Sequence, residues 1–221
     1  MKFRWRNYGL SIVVAGLFFA FWTGQALVGR LEYNEEREER GTPPLGVGDY
    51  LHSSHFWEAT GENWESEFLQ MGAFVFLTIF LFQKGSAESK DPDGENPQNA
   101  DPRTEQDNPE SPWPVRRGGW VLKLYENSLV LAFVILFLAS FAIHAVGGVR
   151  LYNEEQIAQR RPTVSVIGFM ETPQFWFQSL QNWQSEFLAI GSMVVLSIFL
   201  RQRGSAESKP VAAEMAKTGQ S

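Results

Sequence analysis

The chain has 221 residues, a net charge of −6 and no cysteine, with a pI near 5.2 and a mean hydropathy of −0.20. The lack of thiols excludes disulfides, thiolate catalysis and cysteine-ligated zinc, and an acidic balance held mostly in loops argues against nucleic acid as a partner. The mean hydropathy misleads, because very apolar runs alternate with very polar ones, and windows rather than averages decide the class.

Met1 to Asn7 carries Lys2, Arg4 and Arg6, and an apolar run follows from Tyr8 to Val28. That run has about the length of one bilayer crossing, roughly 20 residues. A basic start and apolar middle also suit a secretory signal. Its counterpart Asn127 to Val146 is internal, however, so the first run is expected to be a retained helix. Arg30 to Gly61 reads as a polar loop, opened by Tyr33-Asn34-Glu35-Glu36 and punctuated by Pro43-Pro44 and several glycines. Ser53 or Ser54 is placed to cap a helix carrying Phe56, Trp57 and Trp64. Trp57, Trp64 and Phe68 share one helical face, which predicts an interfacial segment running into a second span. Leu69 to Phe82 is apolar but short, so a crossing helix must begin near Trp64, with Glu67 in its first turn. Lys84 marks the far membrane edge and Gly85 a helix stop.

Lys90 to Pro114, rich in Pro, Asn, Asp and Glu, predicts a disordered linker. Trp113, Arg116, Arg117 and Trp120 return the chain to an interface, and the third span is Ser128 to Val149. A second loop opens with Tyr152-Asn153-Glu154-Glu155. Pro173 to Trp183 parallels the interfacial segment, with Phe175-Trp176 matching Phe56-Trp57. Trp183 to Leu200 is the fourth span, and the tail from Pro210 is expected to be loose. Lys2, Arg4, Arg6, Lys84, Arg116, Arg117, Lys123, Arg201 and Arg203 fall on one side of this arrangement, which places both termini and the linker in the cytoplasm.

The halves repeat each other at an offset of 119 residues, as between Trp64 and Trp183, and about half the paired positions from Tyr33 to Lys90 are identical. Identities gather in Tyr-Asn-Glu-Glu, Phe-Trp, Asn-Trp-x-Ser-Glu-Phe-Leu and Gly-Ser-Ala-Glu-Ser-Lys, whereas the first and third spans have diverged. The expected fold is therefore an all-α membrane protein of four transmembrane helices. They form two tandem hairpin repeats that insert the same way, with short interfacial helices. The expected parts are 1–90 (first hairpin), 91–119 (cytoplasmic linker), 120–209 (second hairpin) and 210–221 (tail). Duplicated hairpins bearing these motifs resemble a group of bacterial multi-pass membrane proteins known only as a domain of unknown function. That resemblance implies an inner-membrane location and brings no activity.

Glu67 and Glu186 stand at equivalent places, and a carboxylate within a membrane helix is a functional candidate by default. The favoured structural reading is that each charge sits in a first helical turn, stabilised by the helix dipole. Asn63 and Asn182 share their faces as hydrogen-bond partners. His144 in the third span, with Gln25 as its counterpart, suggests a proton relay or, more simply, a neutral imidazole bonded to a neighbouring helix. Trp57, Trp64, Trp176 and Trp183 read as interfacial aromatics. The Tyr-Asn-Glu-Glu motifs read as solvated acidic ends rather than cation sites, and His52 and His55 as surface residues. No cofactor, metal motif, phosphate loop or nucleophile–base pair is expected. The expected partners are the lipid bilayer and either another membrane protein or a second copy of this chain. The function expected from these features is non-enzymatic binding or scaffolding. The alternative is a small channel or a proton- or cation-coupled transporter using Glu67, Glu186 and His144.

Overall fold

The computed structural model describes residues 5–219, with side chains described from residue 7 onward. Lys2 and Arg4, used above for orientation, lie outside the described residues, as does the side chain of Arg6. All the regular structure among the described residues is helical.

Helix α1 (Trp5–Glu39) runs well past the point at which a loop was expected. Glu35 to Arg40 consists of strong helix formers, and Arg40 pairs with Glu36 at 3.2 Å across one turn. The helix stops where Gly41 turns to φ +69°. The Gly41 N–H then donates to the Glu38 carbonyl at 2.9 Å and the Thr42 N–H to that of Arg37 at 2.8 Å, a Schellman closure. Helix α2 (Val47–Leu51) follows, and α3 (Ser54–Phe80) joins the aromatic segment and the apolar run in one continuous helix. The Ser53 hydroxyl accepts from the Phe56 N–H at 3.3 Å at its start. Residues 91–119 carry two 3-10 turns, Pro97–Asn99 and Pro102–Glu105, and the short helix α4 (Trp113–Arg117). Local bonds hold them, such as the Arg103 N–H to Asp101 at 3.0 Å. Then come α5 (Gly119–Glu126), α6 (Ser128–Ala158), α7 (Val166–Met170) and α8 (Pro173–Phe199).

Both bounds of α2 and α3, and the last residue of α1, recur 119 positions later in α7, α8 and α6. Arg160 takes the place of Gly41 and adopts the same positive φ, +58°. Both Tyr-Asn-Glu-Glu motifs therefore lie on helices and not in the loops they were expected to open.

Among the described residues two helices are long and apolar enough to cross a membrane: Asn7–Glu39, with mean hydropathy 1.8, and Ser128–Ala158, with 2.7. Only 11% and 17% of their most apolar windows are buried, unlike the core helix of a water-soluble protein. Leu10, Phe21 and Ile135 are among the large apolar side chains left exposed.

Contacts group the chain into two units, each drawn from both halves of the sequence. The first contains residues 1–62 and 141–175 and holds two aromatic cores. One is built on Ala26, Tyr33, Tyr50 and Phe56, the other on Ala145, Val149, Phe169 and Phe175. Three of these pairs stand 119 apart, and Tyr152, the counterpart of Tyr33, packs on the second core. Asn34 clamps the backbone of Leu45, accepting its N–H at 2.8 Å and donating to its carbonyl at 3.1 Å. Asn153 clamps Val164 in the same way, at 2.8 and 2.9 Å. The asparagine of the shared motif is thus a loop clamp.

The second unit contains residues 63–140 and 176–221. Here the Gly-Ser-Ala-Glu-Ser-Lys motifs fold into matching loops. Ser89 accepts the Gln83 N–H at 2.9 Å and Ser86 that of Glu88 at 3.1 Å. Ser208 and Ser205 do the same for Gln202 and Glu207. Lys209 is buried and its Nζ donates to the carbonyls of Gly85, Met215 and Lys217. The Gly219 N–H also donates to the Ser86 carbonyl at 2.9 Å.

Candidate functional site

In the first unit, α3 meets α6 backbone to backbone. A Cβ on Gly61 would lie 2.5 Å from the His144 nitrogen, and one on Gly147 would lie 2.8 Å from that of Glu58. Small residues at such a crossing let side chains from both helices converge. Glu58 and Glu62, one turn apart on α3, share a face and meet His144 of α6. Their ligand atoms, two carboxylate oxygens and one imidazole nitrogen, all lie within 4.8 Å of one another. His144 is fully buried, Glu58 is 6% exposed, and Glu62 is half-buried. The imidazole is stacked on Phe175, with ring centres 4.8 Å apart and 21° between planes. Nearby on α3, buried Thr60 accepts from the Trp22 indole at 3.4 Å. Two carboxylates and an imidazole thus come together where Glu58 and His144 are cut off from water.

The sequence candidates are placed differently. Of the pair Glu67 and Glu186, in the second unit, Glu67 is exposed and Glu186 half-buried. They are close enough for Glu186 to feel the charge of Glu67. The fully buried acid of that motif is instead Glu65, at its variable position. Glu65 accepts from the Trp183 indole at 3.2 Å. Trp183 also packs edge-on against Phe137 and Trp176. Asn182 donates back to the Gln178 carbonyl at 3.2 Å, and the Asn63 carbonyl accepts from the Ser66 hydroxyl at 2.8 Å. Gln25 is half-buried on α1. The Trp57 indole donates to the Leu51 carbonyl at 2.9 Å, while Trp64 is half-buried and Trp176 exposed.

One expectation needs correcting. His55 is not a surface residue, because it is half-buried, stacked on Tyr33 at 4.7 Å and bonded to the Tyr50 hydroxyl at 3.0 Å. Burial lowers its pKa below the ordinary 6.5, opposed by the charges of Glu36 and Glu32. His52, by contrast, is exposed, its ring meeting the Gly48 carbonyl. Burial also pushes the Tyr50 phenol up to about 12. The Tyr33 hydroxyl donates to Glu154 at 2.8 Å, a bond that spans the two halves of the sequence. Glu58 and Glu62 carry no signal in the repeat, which marks only what the halves share. Their counterparts, Phe177 and Gln181, carry no charge.

A family model described as a domain of unknown function (DUF6766) matches residues 1–220. No curated protein and no solved structure matches the chain.

Proposed function

We propose that this chain, which belongs to the DUF6766 family, is a multi-pass protein of the bacterial inner membrane that works by non-enzymatic binding or scaffolding. In this reading α1, α3, α6 and α8 all cross, as two tandem hairpins entering from the same face, with both termini and the linker cytoplasmic. The recurrence of element bounds at 119 residues supports the tandem arrangement. Helices α3 and α8 have 27 residues each, about 40 Å at 1.5 Å per residue, which exceeds a hydrocarbon core of about 30 Å.

One observation carries the scaffold reading. The motifs common to both halves serve as structural parts: Asn34 and Asn153 as clamps, and the serines of Gly-Ser-Ala-Glu-Ser-Lys as loop closures. A second reading, proton- or cation-coupled transport, is favoured by the convergence of Glu58, Glu62 and His144, with Glu67 and Glu186 as further carboxylates. Flux assays on the purified chain in liposomes, read beside its native mass in detergent, separate the two. The scaffold reading expects no ion or proton flux and a defined oligomer or stoichiometric complex. A flux abolished by His144→Gln, or by Glu67→Gln with Glu186→Gln, overturns it in favour of transport.

A further inference from the structure

We propose that Glu58, Glu62 and His144 form a site for a single first-row divalent cation of the Zn2+ class. The donor set is one imidazole nitrogen and two carboxylate oxygens. Ca2+ and Mg2+ prefer all-oxygen surroundings, whereas an imidazole among carboxylates selects borderline transition ions. The ligand atoms lie within 4.8 Å of one another. Bonds of about 2.0–2.2 Å to one tetrahedral ion set ligand atoms about 3.3–3.6 Å apart, so binding would draw together any pair that stands wider. Three protein ligands leave a fourth position for water or a partner group, the arrangement of an open zinc site.

Three further features point the same way. His144 and Glu58 are desolvated, so a bound cation meets little competition from water and cancels the charge of the acids. The stack of His144 on Phe175 fixes the ring before any ion arrives, the kind of support that tunes metal ligands. The third feature comes from the repeat. At the positions 119 residues away from the trio the chain carries Phe177, Gln181 and Gln25. Helix α8, with Phe177 and Gln181 in place of the two acids, has the same bounds as α3, so helix formation does not require them. The trio takes Glu58 and Glu62 from the first half and His144 from the second, and the equivalent positions hold no such set.

The test uses the full chain, purified in detergent and stripped with a chelator. Zn2+ is titrated by calorimetry, and Co2+ is followed by its visible d–d absorption. The expected result is one equivalent bound, with Co2+ showing a band characteristic of nitrogen and oxygen ligands. His144→Gln, Glu62→Gln and Glu58→Gln should each weaken binding by more than the roughly 10–100-fold that loss of a supporting outer residue costs. Gln is the natural occupant at two of the equivalent positions, so at least those two variants should fold, which circular dichroism checks. Glu35→Gln, on an exposed acid of α1, should leave binding unchanged. The proposal is overturned if the folded wild-type chain binds no stoichiometric ion, or if binding survives His144→Gln and Glu62→Gln intact. It concerns a site and not a flux, so it stands or falls separately from the scaffold and transport readings.

Discussion

His55 shows how much a single residue's surroundings change its chemistry. Its neighbours are aromatic, Tyr33 and Tyr50, with Glu32, Glu36, Glu154 and Arg40 as the charges that reach it. Burial dominates, so the folded protein resists protonating the ring, while the unfolded chain takes the proton at the ordinary value of 6.5. Below that value the unfolded state binds more protons, and stability falls with pH until the folded value is passed. Thermal unfolding in detergent from about pH 7 to about pH 5 should show a falling midpoint. His55→Gln, which installs the residue found at Gln174, should flatten that slope relative to wild type; an unchanged slope would mean that other groups govern it. The polar candidates were legible to differing degrees. His144 was visible because it interrupts an apolar run. Glu58, Glu62 and Glu65 were not, because each sits in a stretch that already looks polar, and only folding shows which acids turn inward. Comparing the halves for identity favoured Glu67 and Glu186, which the structure leaves exposed or half-buried.

At the scale of elements, the apolar runs are legible in the sequence and the helix ends are not. Pro43-Pro44 and the glycines do break the chain, but only after Glu39. The acidic string before them prefers helix, and Gly41 and Arg160 close the two helices by the same hydrogen bonds. What no periodicity could reveal is the α3–α6 contact in the first unit. It depends on Gly61 and Gly147 lacking a Cβ where backbone lies under 3 Å from that position. Rotamer changes cannot relieve a clash with backbone. Gly61→Ala or Gly147→Ala should therefore cost about 1–3 kcal/mol of stability, the scale of overpacking a filled core. Gly191→Ala on α8, with nothing within 4 Å, should instead stabilise by about 0.5–1 kcal/mol, the usual gain from removing a helical glycine. Denaturation of the purified variants, compared pairwise, checks both signs.

At the scale of the whole molecule the number of crossing helices fixes the compartment of every loop. Among the described residues two pass on length and composition, α1 and α6. Helices α3 and α8 carry acids and amides in their first halves, which dilutes any hydropathy window placed over them. If only α1 and α6 cross, everything between them lies on one side, and Glu38 and Gln98 share a compartment. If α3 and α8 also cross, Glu38 and Arg161 face outward and Gln98 faces the cytoplasm. The chain has no cysteine, so single Glu38→Cys, Gln98→Cys and Arg161→Cys variants each carry one reporter at an exposed position. A membrane-impermeant maleimide added to intact cells should label positions 38 and 161, and should reach 98 only after the membrane is opened. Labelling of 38 and 98 together, with 161 protected, would reduce the molecule to two crossings. It would also put the two Asn-clamped loops on opposite faces, which a tandem pair of hairpins inserted the same way does not allow.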